Sequence, residues 1–300
     1  GNCSALRRSS DSIIGAHKEP KKLDSRGGFD FARAMSNVLE DSVFDITGKA
    51  QRGLKLDDET LIARAGISRE QLTHWRNGHF DPDVAAKLAR ALELNARALV
   101  ALPHYRPAAV HVEGLKQFCT PWDDMVVNSY LFWAEGEATA VDTGTDCTEM
   151  LEFLKQRNLR LTRIFLTHTH GDHVYELDRL KEKTGATAYV SNREPIDGAE
   201  VFEPGHEFQA GPLRVETRLT WGHSPGGITY VVYGLERLVA FVGDALFAGS
   251  MGGAPEAYAE ALQANRREIF SLPQETVLCP GHGPLTTVGE ELQHNVFFAL

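Results

Sequence analysis

The spacing of hydrophobic residues changes once along the chain, near residue 107. Between residues 57 and 99 apolar side chains recur every three or four positions, which predicts short helices. After Pro107 the apolar residues form short, β-branched runs, which predict strands. These runs cover residues 109–115, 125–133, 138–144, 163–167, 186–190, 213–219, 228–234, 237–243 and 276–280. Helical patterns interrupt them at about 146–157, 173–184, 255–271 and 288–297.

Local signals mark where helices begin and end in the first part of the chain. Residues 29–40 have helical spacing, whereas Thr47–Gly53 is polar and interrupted by glycine, which predicts a break. Gly66 suits a turn between two helices, because glycine tolerates the left-handed conformation found there. Ser68 suits the N-cap of the following helix, and Pro82 suits the first turn of a third.

These patterns divide the chain into three parts. Residues 1–28 are rich in Ser, Lys and Arg and predict a flexible arm. Residues 29–106 predict a small all-α helical domain, and Pro103 and Pro107 predict the linker after it. Residues 107–300 alternate strands with helices, which predicts a layered domain of class α+β.

Composition narrows the class of protein. Of 300 residues, 42% are hydrophobic and 24% are charged, which is the balance of a globular protein. No run of eighteen apolar residues occurs, so a membrane-spanning helix is excluded, and the polar start lacks the features of a secretory signal. The 4 cysteines lie far apart, which argues against a disulfide scaffold and a cysteine zinc site. We therefore expect a cytoplasmic protein without a membrane partner.

Charge is distributed unevenly between the parts. The net charge of −10 consists of +3 for residues 1–106 and −13 for residues 107–300. The acidic part is a poor candidate for binding nucleic acid, because each phosphate contact needs a cation from the protein.

One segment concentrates residues that bind metals. The string HTHGDH, residues 168–173, directly follows a predicted strand, and alternation in an extended segment points His168 and His170 the same way. Histidine and carboxylate ligands suit zinc, iron or manganese. Three further positions follow apolar stretches and lie beside glycine. They are His223 in GHSPGG, Asp244 in VGDALF and His282 in PGHGP.

In this order the four strings resemble those of the metallo-β-lactamase superfamily, and the glyoxalase II-like branch in particular. The resemblance covers about residues 107–300 and implies a four-layer αβ/βα sandwich with a metal site at the loop ends. It implies two divalent metal ions, zinc first, with iron and manganese as alternatives. One ion would be held by His168, His170 and His223, and the other by Asp172, His173 and His282. Asp244 would bridge the two ions.

The resemblance further implies an enzyme that acts on a small acyl substrate. A metal-bound hydroxide would attack the carbonyl of a thioester or related ester, with one metal stabilising the oxyanion. Asp172 and Asp244 are then the catalytic candidates as well as ligands. A mononuclear-iron dioxygenase, similar to persulfide dioxygenases, is the alternative, because the ligands alone do not separate one iron from two zincs.

Three positions depart from the glyoxalase II-like pattern and its neighbours. Gly253 stands where that branch has a Lys or Arg that helps to bind glutathione. Pro284 stands where a Tyr is common, and Phe247 stands where similar lactonases have a Tyr. The chain ends soon after His282, without the helical domain that grips glutathione in that branch. We therefore expect the chemistry without the usual glutathione recognition.

Residues 59–94 resemble a helix-turn-helix unit of the Cro/repressor type. The second helix of such a unit enters the major groove, so Arg69, Gln71 and Arg76 are candidate DNA contacts. Against this, residues 57–99 hold six basic and seven acidic residues and lack a basic footprint. Two interpretations remain open: a dimerisation or lid element of the enzyme, and a DNA-binding regulator whose hydrolase-like domain senses a ligand.

Overall fold

Two six-stranded sheets form the centre of the fold, which the computed structural model describes for residues 38–123 and 125–300. The first sheet runs in chain order through β1 (Leu115–Trp122), β2 (Met125–Ala134), β3 (Glu137–Val141), β4 (Arg160–Phe165), β5 (Thr187–Ser191) and β6 (Glu200–Phe202). The second consists of β7 (Glu207–Ala210), β8 (Leu213–Leu219), β9 (Ile228–Tyr233), β10 (Val239–Gly243), β11 (Val277–Pro280) and β12 (Thr286–Thr287).

Both sheets are mixed, and helices make the parallel crossovers except the one between β5 and β6, which is a short segment of turns. In the first sheet β1, β2 and β3 pair antiparallel, whereas β3 to β6 pair parallel. Parallel neighbours need a long connection. The crossover helices are α6 (Thr148–Gln156), α7 (Gly171–Val174) and α8 (Leu177–Thr184) in the first sheet, and α9 (Tyr258–Glu268) between the parallel strands β10 and β11.

The hydrophobic core falls into three layers. Between the sheets, Phe132 and Phe165 pack against Tyr230 and Phe241. On the outer face of the first sheet a second cluster includes Met150 of α6 and Leu180 of α8. A third cluster covers the outer face of the second sheet. The order is therefore helices, sheet, sheet, helices, the mixed α/β arrangement that the resemblance implied.

Among the described residues, five α-helices and a short 3-10 helix (Leu102–His104) precede the first strand. The α-helices are α1 (Val43–Gly53), α2 (Asp58–Ala65), α3 (Arg69–Arg76), α4 (Pro82–Ala91) and α5 (Ala96–Ala101). The predicted end signals are confirmed: Gly66 caps α2 in the left-handed conformation, Ser68 caps α3, and Pro82 opens α4. A last helix, α10 (Val288–His294), follows β12.

The early helices share their core with the second sheet. Ile46, Leu88 and Leu99 belong to the same buried cluster as Ala240 and Leu278. Among the described residues this cluster forms the outermost layer on that side of the sandwich.

Three expectations about local structure were wrong. Thr47–Gly53 belongs to α1, because a capping box formed by Ser42 and Asp45 starts a helix that continues through Gly48. Val38–Glu40 is not helical, and the rest of the helix predicted for residues 29–40 lies outside the described residues, as does the predicted arm 1–28. Residues 109–114 are not a strand; β1 begins at Leu115, after Gly114 at a φ of 81°.

Two composition-based expectations can be compared with the described residues. Cys119, Cys147 and Cys279 are unpaired, while Cys3 lies outside the described residues. Throughout the described ranges, every helix is too short or too polar to cross a bilayer.

A buried carboxylate joins three segments at the end of the second sheet. Glu291 of α10 is fully buried, and its oxygens accept hydrogen bonds from Thr286 Oγ1 at 2.7 Å and the Gly249 amide at 2.8 Å. Asn295 Nδ2 at 2.8 Å and the Tyr105 hydroxyl at 3.1 Å complete the set. Burial raises the pKa of Glu291 from an ordinary value near 4.5 to about 7, although the hydrogen bonds oppose the shift.

This shift predicts a pH-dependent difference between the native chain and Glu291→Gln. Because the pKa of Glu291 is higher in the folded state, the stabilisation it contributes is present at low pH and is lost as the pH rises through about 7. Between pH 5 and pH 8 the native chain should lose on the order of 2 kcal/mol of unfolding free energy relative to the variant. Urea unfolding at several pH values measures this, and a pH-independent difference between the two proteins would contradict it.

Candidate metal centre

The predicted ligands lie in the segments that follow four strands, at one edge of the sandwich. The loop after β4 carries His168 and His170 and continues into α7, which contains Asp172 and His173. The other three ligands lie in loops of the second sheet. His223 precedes β9, Asp244 follows β10, and His282 follows β11.

The structure brings all seven predicted ligands together in two groups. In the first group His170 Nδ1 is 3.0 Å from His168 Nε2 and 3.0 Å from His223 Nε2. In the second group Asp172 Oδ2 is 3.3 Å from His282 Nε2 and 3.6 Å from His173 Nε2.

Asp244 lies between the two groups. One oxygen, Oδ2, is 3.4 Å from His223 Nε2 and 3.5 Å from His282 Nε2, while Oδ1 is 3.4 Å from His173 Nε2. A single carboxylate therefore faces ligand atoms of both groups.

Two atoms of this cluster indicate that it is built for cations. His173 Nε2 and Asp244 Oδ1 are buried and lack a hydrogen-bond partner among the described residues. Leaving such atoms unpaired costs about 1–3 kcal/mol each. A cation between them would satisfy both, and imidazole with carboxylate is a donor set for zinc, iron or manganese. The residues thus form a binding cluster for divalent metal ions.

The protein fixes the rotation of four of the five imidazoles through the nitrogen that points away from the cluster. His168 Nδ1 is 3.0 Å from Thr167 Oγ1, and His173 Nδ1 is 2.9 Å from Asp142 Oδ2. Two backbone carbonyls hold the others: Gly253 O lies 3.0 Å from His223 Nδ1, and Val126 O lies 2.8 Å from His282 Nδ1. Such contacts fix the tautomer and leave Nε2 for the cation.

Sequence reasoning missed Asp142. Its carboxylate accepts hydrogen bonds from the amide and the hydroxyl of Thr167, both at 2.8 Å, besides contacting His173. Asp142 therefore connects His168 of the first group, through Thr167, with His173 of the second group. A signal existed, because Asp142 follows the apolar end of β3 just as HTHGDH follows β4.

A second missed carboxylate, Glu194, joins two ligand loops. It accepts hydrogen bonds from the Thr169 amide at 3.2 Å and the Thr169 hydroxyl at 2.7 Å, beside His170. It also accepts from Ser224 Oγ and, at 3.1 Å, from the Gly226 amide, next to His223. No motif marks Glu194 in the sequence.

One glycine lies where the backbone approaches the cluster. A Cβ atom on Gly281 would lie 2.1 Å from Asp244 Oδ1 and 2.7 Å from His173 Cε1. Any side chain there would displace Asp244, so the glycine of PGHGP makes room for the central carboxylate.

Burial and neighbouring charges shift the pKa values of the cluster residues in opposite directions. Burial lowers the pKa of His168 well below its usual range. Burial would also lower that of His173, but Asp244 and Asp142 raise it to about 10. Burial would raise the pKa of Asp244, but His282 and His173 hold it well below its usual range. Without cations, protons therefore occupy His173 and His282.

The cluster opens into a cavity of about 670 Å³. His170, Asp172, Asp244 and His282 form its floor. Segments before β1 form one wall, through Val38–Asp41 and the face of α1. Sequence reasoning did not place α1 at this site.

Comparison with known proteins gives the family. Residues 122–282 match the model of the metallo-beta-lactamase superfamily. The chain belongs to this superfamily. That match spans β2 to β11 and all seven cluster residues, so the superfamily and its fold, expected from the sequence, are confirmed.

Individual members of the superfamily resemble the same region. A probable metallo-hydrolase, YqgX of Bacillus subtilis, is 28% identical over 204 residues, 59% of this chain and 94% of the relative. The hydroxyacylglutathione hydrolase GloC of Haemophilus influenzae is 27% identical over 214 residues, 63% of this chain and 95% of the relative. The crystal structure of ETHE1 from Myxococcus xanthus, 27% identical, has a TM-score of 0.54 and covers 60% of this chain and 82% of that one.

Two of the three positions that depart from the glyoxalase II-like pattern line this cavity. Gly253 and Phe247 line it, and the ring of Phe247 meets that of His282 edge-on with centroids 5.7 Å apart. Lys49 of α1 approaches Gly253, with its Cγ 3.9 Å from the place of a Cβ atom there. The side chain of Lys49 thus approaches Gly253, the position where the glyoxalase II-like pattern has a Lys or Arg.

The candidate DNA contacts lie on α3 and do not belong to the cavity lining. Arg69 and Arg76 are exposed, but Arg69 contacts Glu59, and Arg76 donates to both oxygens of Asp58 at 2.6 Å. The Gln71 side chain accepts from the Ser68 amide at 2.8 Å in the capping box. Contact with DNA through these three residues stays a prediction.

Glu194 should control the affinity of the first ligand group for metal. Replacing Glu194 with Ala frees the loops of His170 and His223, so we expect about 10–100-fold weaker binding of one of two cations. Chelator competition followed by metal analysis measures both affinities. Glu216→Ala removes a half-buried carboxylate from β8, bonded to Arg218 at 2.8 Å, and is the control. Equal retention of metal by the two variants would show that Glu194 has no such role.

Metal binding should release protons and weaken in acid. Because Asp244 and neighbouring carboxylates raise the pKa of His173 and His282 in the cation-free cluster, loading at pH 7 should release protons. The apparent Kd for zinc should therefore rise as the pH falls from 8 to 6. Calorimetric titration with zinc in buffers of different ionisation enthalpy counts the protons, and binding heats independent of the buffer would disprove the assignment.

Proposed function

We propose that the chain is a metal-dependent hydrolase of thioesters or related esters, with two divalent cations, zinc first, in the two ligand groups. The observation that carries this proposal is the position of Asp244, whose two oxygens face ligand atoms of both groups. Two cations in adjacent sites need a shared anionic ligand to offset their repulsion. When bound, such cations supply Lewis acidity toward a carbonyl oxygen and activate water at neutral pH.

The chain's own residues prepare the reaction by position and charge. Asp244 and Asp172 are the catalytic candidates because both line the cavity floor. With Asp172 Oδ2 turned toward the imidazoles of His173 and His282, Oδ1 is the atom that would take the proton of the attacking water. Phe247 and Val126 contribute apolar side chains to the cavity lining, against which the ester would pack.

A thioester suits this site better than an amide does. A thiolate leaves without protonation, so the reaction needs no protein acid for the leaving group. The likeness to GloC, named a hydroxyacylglutathione hydrolase, supports the substrate class. Gly253 and Pro284 replace residues that the resemblance links to glutathione, so the thiol portion of the substrate is proposed to differ.

The mononuclear-iron dioxygenase is the weaker candidate. It would need only part of the cluster, whereas the second group of Asp172, His173 and His282 is complete and fully buried or nearly so. A complete second group favours two cations and hydrolysis.

The deciding experiment combines metal content with turnover. The purified chain should hold about two cations, and it should hydrolyse S-acetyl-N-acetylcysteamine at a rate that chelation abolishes and zinc restores. The double variant His168→Ala, Asp244→Ala should lose both the metal and the activity, while His104→Ala, an exposed histidine outside the cluster, should keep both. Full esterase activity of metal-free protein would refute the proposal, and one iron with oxygen consumption would favour the dioxygenase.

A further inference from the structure

One face of α1 points into the metal cavity. Asp45, Gly48, Lys49 and Arg52 are spaced three or four residues apart, so they form one stripe of the helix, and all four line the cavity. This helix lies outside the residues 122–282 that the superfamily model matches. The wall it forms is therefore an addition of this chain to the matched region.

Gly48 leaves open space in the middle of this stripe. Glycine inside a helix costs about 0.5–1 kcal/mol relative to alanine, so its presence needs a reason. Close packing is not that reason, because a Cβ atom on Gly48 would meet only the flexible end of Arg52, with Nη1 at 3.1 Å. At Gly53 of the same helix, by contrast, a Cβ atom would lie 2.4 Å from the Tyr258 ring. Gly48 widens the cavity instead of permitting a helix contact.

The charges of this wall leave Arg52 available to a ligand. Lys49 Nζ donates to Asp41 Oδ2 at 2.5 Å, and Asp45 Oδ2 accepts from the amide and the hydroxyl of Ser42 at 3.0 and 2.6 Å. Glu40 lies 4.0 Å from His282 Nδ1. Arg52 is exposed and forms no ion pair with residues 38–123 or 125–300.

The positive charge of the metal-loaded site would attract an anionic ligand, as Arg52 does. Two divalent cations exceed the charge of Asp172 and Asp244, so the floor of the cavity becomes positive. Glu40, Asp41 and Asp45 keep negative charge on the wall, but a positive floor attracts an anionic group of a ligand toward it. Guanidinium groups bind carboxylates through paired hydrogen bonds.

We propose that α1 is the substrate-recognition element of this site, with Gly48 providing space for the substrate and Arg52 binding a carboxylate that the substrate carries. This inference rests on the proposed thioester hydrolysis and adds an anionic substituent to that substrate class. Gly48 and Arg52 determine specificity in this proposal and do not take part in the chemical step.

Matched substrates test the role of Arg52. S-acetyl-N-acetylcysteine carries one carboxylate more than S-acetyl-N-acetylcysteamine, and succinyl and butanoyl thioesters of N-acetylcysteamine place that difference on the acyl side. In at least one pair Arg52→Ala should lower kcat/KM for the anionic member about tenfold or more, through KM, and leave the neutral member unchanged. Arg52→Lys should restore part of the loss, and Arg64→Ala, an exposed arginine on α2, is the control. An equal effect of Arg52→Ala on both members of both pairs would overturn the role.

Two further measurements keep the inference separate from the proposed function. Gly48→Phe should block both members of a pair while the metal content and the melting temperature stay at the native level, and full activity of that variant would overturn the role of Gly48. Calorimetry with N-acetylcysteine, succinate and the neutral N-acetylcysteamine reports on Arg52 without turnover. If the native chain hydrolyses none of these thioesters, the proposed function fails, whereas weaker binding of a carboxylate after Arg52→Ala still supports the inference and unchanged binding overturns it.

Discussion

The structure depends on keeping the Asp244 carboxylate buried at the junction of the two sheets. A buried negative charge is costly unless cations or hydrogen-bond donors face it. Here imidazoles of both ligand groups surround the carboxylate, and Gly281 lets the backbone approach it. The remaining contacts at this edge of the sandwich orient those imidazoles. The architecture is thus arranged around one anion and the cations that compensate it.

Residues behind the cluster hold the segments that carry its ligands without blocking the cavity. Asp142 and Glu194 each join two segments that carry ligands, and neither lines the cavity. The loop after β10 is tied by Lys49, which donates to Met251 O at 3.0 Å, and by Glu291, which accepts from Gly249. Asp142, Glu194 and Glu291 therefore hold these segments from behind the cluster, whereas Lys49 does so from the cavity wall.

HTHGDH was predictable as a metal-binding segment because it concentrates imidazoles and a carboxylate directly after an apolar strand, whereas the full set of seven residues followed from the resemblance to the metallo-β-lactamase superfamily. The strand β8 was predicted with the boundaries observed, whereas β1 was predicted at residues 109–115 and begins only at Leu115. Glu194 was not predictable, because a single Glu in a polar turn has no pattern and its partners are distant in sequence. The break predicted at Thr47–Gly53 failed because glycine lowers helix propensity only weakly, and a capping box outweighs it. The strands β6 and β7 are too short to show a period.

The bond between Lys49 and Met251 joins residues 202 positions apart, and His282 lies still later in the chain. Contacts of such long sequence separation form slowly, because much chain entropy is lost before they are made. The first sheet and the group of His168, His170, His223 and Asp244 need only residues up to Asp244, whereas the second group is complete only once His282 has joined it. Completion of the second ligand group is consequently a late event in the folding of this chain.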